Sequence, residues 1–291
     1  MSSAVVVAEK GNSLWDDAVA RLKKNRLAVF SLCLLAFELV ICLLTPWIAP
    51  YGFEVQDLNN TLSGPSAAHW FGTDALGRDL FTRVLYGGRI SIMVGLLASG
   101  VSVIVGVIYG AVAGFVGGKL DNLMMRAVDV LYALPFIFLV IILMVYFGRN
   151  IVLMFIALGL TQWLTMARIT RGQVISLRQK EFVDAAHTMG VTGGTIVRRH
   201  LIPNALGPVI VYLTLTIPTV VLEEAFLSFL GLGVQAPMAS WGTLIKDGVD
   251  VMEIAPWLLL FPAATLSLTL FCLNFLGDGL RDALDPKGAK D

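Results

Sequence analysis

Runs of apolar residues long enough to cross a bilayer recur along this chain, and they fix its class before any motif is considered. A bilayer core is about 30 Å thick and an α-helix rises about 1.5 Å per residue, so about 20 apolar residues span it. Six runs meet or approach that length: 27–48, 90–116, 128–147, a short one at 151–167, 205–222 and 256–276. Charged residues make up only 14% of the 291, and the mean hydropathy is +0.79. The expected fold is therefore all-α, a polytopic membrane protein with six transmembrane helices rather than two soluble domains. Alternating strands of about ten residues, the mark of a membrane β-barrel, are not seen.

Charge sets orientation. The 21 basic residues balance the 21 acidic ones, so no bulk basic surface points to nucleic acid. Sixteen of the 21 basic residues fall in the leader, in the loops after spans two and four, and in the tail. Positive residues stay inside, so both termini are expected in the cytoplasm. The first apolar run follows a polar leader and lacks a small-residue cleavage site, which suits a retained span rather than a removed signal. Cys33, Cys42 and Cys272 lie in apolar runs without metal spacing and read as small buried hydrophobes. His69, His187 and His200 are too scattered for a metal site.

Within the spans, Ser102, Gly106, Gly110 and Gly114 recur every fourth position, a groove that lets another helix backbone come close. The pattern leaves open whether that helix belongs to this chain. Pro135, Pro208, Pro218 and Pro262 interrupt helical segments, either as packing kinks or beside a cavity. Glu38 lies in mid-span one, where a lone charge is costly; it either faces a pathway or partner, or pairs with a neighbouring helix. Glu223 and Glu224 are placed at the outer end of span five, to meet a cationic substrate group or to mark an interface. Asp74, Arg78 and Asp79 read as a network fixing the start of span two, or as a docking surface. In the tail, Arg281 can pair with Asp278 and Asp285 on one helical face.

One polar stretch breaks the pattern. EFVDAAHTMGVTGGTIVRRHLIPN, 181–204, starts acidic, as a helix N-terminus favours, and carries small residues. Val183, Ala186 and Gly190, with Ala185 and Met189, form one small, mildly apolar strip. Gly190 ends the helix, a basic segment covers 195–201, and Pro203 is expected to stop it before span five. Such a helix fits a groove in a partner.

At these residues a resemblance appears. Asp184-Ala185-Ala186, three residues, Gly190, nine residues and then His200-Leu201-Ile202-Pro203 resembles the EAA loop of ABC importer permeases, with Asp184 in place of Glu and Ile202 in place of Leu. HWFGTDALGRDLFTRVLYGGRISIMVG (69–95), FLSFLGLGVQAPMASWGTLI (226–245) and GDGLRDALDP (277–286) are similar to the C-type permeases of peptide and nickel importers, nearest the oligopeptide branch.

The resemblance implies the type I importer permease fold in a bacterial inner membrane. It divides the chain into a cytoplasmic leader (1–26), a first span with a periplasmic loop (27–89), a core (90–277) holding the coupling loop (168–204), and a cytoplasmic tail (278–291). It implies a homologous B-type permease, two cytoplasmic ATPases that hold the ATP and Mg, and an extracytoplasmic binding protein that delivers oligopeptide. Asp184, Ala185, Ala186, Met189, Gly190, His200 and Pro203 would then touch the ATPases. Dipeptide, glutathione or nickel remain alternative substrates.

No cofactor and no catalysis are expected of this chain. GFVGGKLD (114–121) is a phosphate-loop lookalike that fails at Ala113 and Leu120. No Asp pair or Ser–His pair suits an intramembrane hydrolase. An ion-coupled secondary transporter is disfavoured by few intramembrane charges and the absence of inverted halves. A mere scaffold would leave the polar loop unexplained.

Overall fold

The computed structural model describes residues 14–148 and 150–284, and among these every regular element is helical. Lys10, Arg149, Asp285, Lys287 and Lys290, which entered the charge and tail arguments, lie outside the described residues. In chain order the helices are α1 (Leu14–Lys24), α2 (Arg26–Ile48), α3 (Leu80–Val116), α4 (Gly118–Tyr132), α5 (Phe136–Phe147), α6 (Ile151–Arg178), α7 (Glu181–Thr188) and α8 (Gly193–Ile196). A π turn (Val197–Leu201) leads into α9 (Ile202–Phe229), followed by α10 (Trp241–Val249) and α11 (Trp257–Leu284). Five helices are long and apolar enough to cross a membrane, and the pair α4–α5 makes a sixth crossing if counted as one bent span. Crossings then alternate in direction. The described chain ends, the α3–α4 turn and α7–α8 share one side; loop 49–79 and α10 share the other.

The helices depart from the expected spans, and the main departures have local reasons. Span two begins ten residues early, at Leu80, because the Asp79 carboxylate accepts from Thr82 N at 2.8 Å and caps the helix there. The expected third span, 128–147, is broken: α4 and α5 meet at 79°. Pro135 has no N–H and disfavours the α conformation at Leu134, so α4 ends and α5 starts anew with Pro135 as its N-cap. Pro208, Pro218 and Pro262, expected to interrupt, instead lie inside continuous helices. Pro203 does not stop the basic segment either. The π turn lets Ile202 N reach back to Val197 O, and the helix passes the proline without a break.

The glycine groove of α3 faces α6 of the same chain, which answers the question that the sequence left open. A Cβ on Gly106 would lie 2.6 Å from the Met166 Cβ, and one on Gly114 2.8 Å from the Arg171 carbonyl oxygen. Above the groove, Val94 and Ala98 of α3 pack with Val140 and Met144 of α5, Met154 and Leu158 of α6, and Val220 of α9. A second core joins α3, α9, α10 and α11 around the fully buried Trp241, whose indole donates to Val84 O at 3.0 Å. Large apolar side chains left exposed, such as Phe37 and Leu43 on α2 and Ile104 and Ile108 on α3, form the surface that lipid requires. Cys42 and Cys272 are buried as expected, whereas Cys33 is exposed among the outward residues of α2.

Candidate functional site

Where α7 meets the bundle, the single strip read from the sequence divides into two faces. Val183 and Ala186 turn inward and are buried with Ala111, Val174, Ile196 and Leu201 of their own chain. Phe115 packs beside them, and its ring stacks with His187 at 6.2 Å between centroids. Ala186 therefore holds α7 down and does not face outward, which corrects its place in the strip. The outward face carries Phe182, Ala185 and Met189, spaced i, i+3 and i+7, with Glu181 and Asp184 beside them. Met189 is 76% exposed. Gly190 has φ +76°, a conformation that turns the chain at the end of α7 with no Cβ penalty. His200 lies in the π turn and its carbonyl accepts from Asn204 Nδ2 at 2.6 Å, while Pro203 is exposed at the start of α9. Phe182 was missed by sequence reasoning, although its i, i+3 spacing to Ala185 was readable.

Two ion pairs tie α4 to α6 near this end. Asp121 takes both Arg171 Nε (2.5 Å) and its terminal nitrogen (2.6 Å), and Arg168 reaches Asp129 at 2.8 Å. The phosphate-loop lookalike sits next to them and is a turn: Gly117 and Gly118 have positive φ, and Arg178 donates to Phe115 O at 2.8 Å, satisfying the C-terminus of α3.

A small polar cleft opens beside the α4–α5 break. Its volume is about 330 Å³, and its walls include Pro135, Thr161, Gln162, Thr165 and Glu223. Glu223 does not end its helix; α9 runs six residues further, to Phe229. Both of its carboxylate oxygens accept from Gln162 Nε2 at 3.0 Å. Glu224 points the other way and is fully buried, accepting from Ser91 at 2.8 Å and Ser228 at 2.6 Å. Trp241 N bonds the same Ser91, so Glu224 ties α3, α9 and α10 together inside the protein. Glu38 is likewise paired within the chain, accepting from Thr269 of α11 at 2.6 Å. Ser102 is buried in the α3 groove. Gln162 escaped notice because its partner is 61 residues away; a lone glutamine in an apolar run was the available signal.

On the opposite side, the network at the start of α3 is fully internal. Asp74 accepts from the backbone of Leu76 (2.8 Å) and Arg78 (2.9 Å), from Arg78 Nε (2.7 Å) and from Arg83. His69 Nδ1 meets Asp79 at 2.9 Å. Asp74, Arg78, Asp79 and Arg83 are all buried, so this network fixes the loop to α3 rather than offering a docking surface.

Likeness to known proteins agrees with this architecture. Residues 106–290 match the family model described as the binding-protein-dependent transport system inner membrane component. Residues 13–65 match that of the N-terminal transmembrane domain of oligopeptide transport permease C. The chain is 54% identical to the oligopeptide transport system permease protein OppC of Haemophilus influenzae, over 96% of this chain and 90% of that one. It is 52% identical to the protein of the same name from Escherichia coli, over 96% and 93%. Among solved structures, a chain of the inward-facing MetNI methionine ABC transporter shares the fold, with a TM-score of 0.58 at 19% identity. That match covers 71% of this chain and 98% of the other.

Proposed function

The chain belongs to the binding-protein-dependent transport system inner membrane component family, and on that premise we propose how it works as the permease subunit of an ATP-driven oligopeptide importer. With a homologous permease it lines the pathway, and an extracytoplasmic binding protein delivers the peptide. Two cytoplasmic ATPases supply the energy, so ATP and Mg belong to them. The count of sixteen basic residues in the leader, the loops after spans two and four and the tail supports a cytoplasmic position for that side. Dipeptide, glutathione and nickel are less favoured cargoes, since the relatives matched at 54% and 52% identity are oligopeptide permeases by name.

The observation that carries the coupling role is the geometry of α7. One face is buried in this chain, and the other presents Phe182, Ala185 and Met189 with no cover from it. A rigidly seated helix with a bare apolar face can take a push from a partner and pass it to α3, α6 and α9, which Val183 and Ala186 contact through one shared core. A flexible loop would absorb the stroke. When ATP draws the two ATPases together, the paired α7 helices follow and the pathway changes the side to which it opens.

Co-purification tests this. The natural chain, taken from its own membrane, should bring down a second permease and two ATPases. Ala185→Arg, on the bare face, should keep the permease and reduce ATPase recovery about tenfold or more. Recovery of ATPase undiminished by Ala185→Arg and by Met189→Glu would remove α7 from the interface. Ala186→Arg is the poorer probe, because a buried arginine would unseat α7 itself.

A further inference from the structure

We propose that the polar cleft at the α4–α5 break is a substrate subsite, in which Glu223 receives the primary ammonium group of the passing peptide. The inference rests on the import reading and goes beyond it by naming the group bound and the residue that binds it.

Position comes first. Gln162 stands eleven residues into α6, about 16 Å along the helix, and Glu223 stands six residues, about 9 Å, short of the end of α9, so the cleft lies within the spans rather than at their ends. Helix breaks at that depth are tolerated only where the backbone is covered by protein or lines a water-filled cavity. The cleft rim is not covered by this chain: Leu131, Tyr132 and Leu134 are 41%, 55% and 50% exposed. A carboxylate, an amide and two hydroxyls facing lipid through that opening would be costly, so the open side must meet the second permease or the pathway between them.

Charge comes second. Gln162 donates to Glu223, but among the described residues no Lys or Arg forms an ion pair with it. The nearby cation on α6, Arg168, is already engaged with Asp129 at 2.8 Å and stacks over the Tyr132 ring at 4.5 Å. That engagement leaves the Glu223 carboxylate without a counter-ion among the described residues. Glu224, by contrast, is consumed by hydroxyl partners inside the helix bundle, and the half-buried Glu38 accepts from the Thr269 hydroxyl. Glu223 is an acidic side chain of these spans that lines an open cleft. A desolvated carboxylate with only an amide partner favours a cation, and every peptide with a free amino terminus brings one. Thr165 adds a hydroxyl for the adjoining peptide groups, and Thr161, whose own O–H donates to Leu158 O at 2.8 Å, can still accept from them.

The volume sets the size of what binds. About 330 Å³ accommodates an amino terminus and its first residue or two, not a whole oligopeptide. The site therefore recognises a feature common to all peptides and ignores the remaining sequence, as a carrier of mixed peptides requires.

The experiment uses the complete transporter with its partner subunits, reconstituted in proteoliposomes, and trialanine as probe. Glu223→Gln keeps the shape and the hydrogen bond to Gln162 but removes the charge, and Glu223→Asp keeps the charge. ATP-driven uptake should fall about tenfold in Glu223→Gln and stay within about twofold of the natural complex in Glu223→Asp. Uptake unchanged in Glu223→Gln overturns the proposal, and an equal loss in both variants makes the role one of packing and overturns it too. A second readout is independent of transport. Carbodiimide should couple the trialanine amine to Glu223 at least about fivefold more than to the exposed Glu181, read by peptide mass mapping; no enrichment contradicts the site. N-acetyl-Ala-Lys-Ala coupled in parallel shows whether a lysine side chain serves as well as the amino terminus. Failure of the natural complex to import trialanine at all strikes the import reading, whereas the coupling result still judges the cleft.

Discussion

Gly110→Leu should leave almost no folded protein in the membrane, whereas Gly100→Leu in the same helix should accumulate normally. The two glycines differ in what surrounds them. A Cβ on Gly110 would strike the carbonyl oxygen of Ala167 and lie 2.9 Å from the backbone nitrogen of Arg171. Those atoms are α6 backbone and cannot rotate aside, so the helices themselves would have to separate. Separation would also pull Gly106 and Gly114 away from Met166 and Val174 along the whole contact. In lipid no hydrophobic force restores the pair, since close van der Waals contact is what holds it. Overpacking of well-filled cores costs about 1–3 kcal/mol where side chains can adjust, and here they cannot. Around Gly100 nothing lies within 4 Å of a built Cβ. Quantitative blotting of membrane fractions and size-exclusion profiles in detergent measure both variants, and equal levels of the two would contradict the assignment of the groove.

Asp74→Ala should destabilise the chain by about 3–5 kcal/mol, the range found when one partner of a buried ion pair is removed. Its carboxylate is the shared acceptor for Arg78, Arg83 and two backbone amides, and its side chain is only 4% exposed. Removal leaves two guanidinium groups buried against each other without an anion. Asp247 offers a second acid to Arg83, but at 3.7 Å and with its side chain 48% exposed. Asp247→Ala should therefore cost under about 1 kcal/mol, as exposed pairs do. Thermal melting of the two purified variants in detergent gives the comparison; a small effect for Asp74→Ala would mean that water reaches the network.

Much of this was legible in the sequence because membranes enforce simple rules. Apolar length located α2, α6 and α11, and four-residue spacing of small residues located the contact of α3 with α6. Backbone physics beyond composition was harder to read. Pro135 breaks its span while Pro208, Pro218 and Pro262 do not, a difference that hydropathy alone does not reveal. The relief of Pro203 through a π turn depends on carbonyl positions five residues apart, which no hydropathy pattern records. The division of α7 into a buried and a bare face was written in its periodicity, but the side facing inward was set by Phe115 and Leu201, distant in sequence. Glu223 and Glu224 are neighbours with opposite surroundings for the same reason: adjacent residues on a helix point about 100° apart. One meets Ser91 and the other meets Gln162.

The central claim is that this subunit moves peptide by transmitting the work of ATP. The most direct measurement is uptake of labelled trialanine into proteoliposomes holding the complete transporter, with ATP supplied on the side of the chain termini and ionophores present to abolish ion gradients. The account predicts uptake that needs ATP and the binding protein, persists with the ionophores and is lost in Ala185→Arg. Uptake by this chain without ATPases, driven by an ion gradient and abolished by an uncoupler, would contradict it.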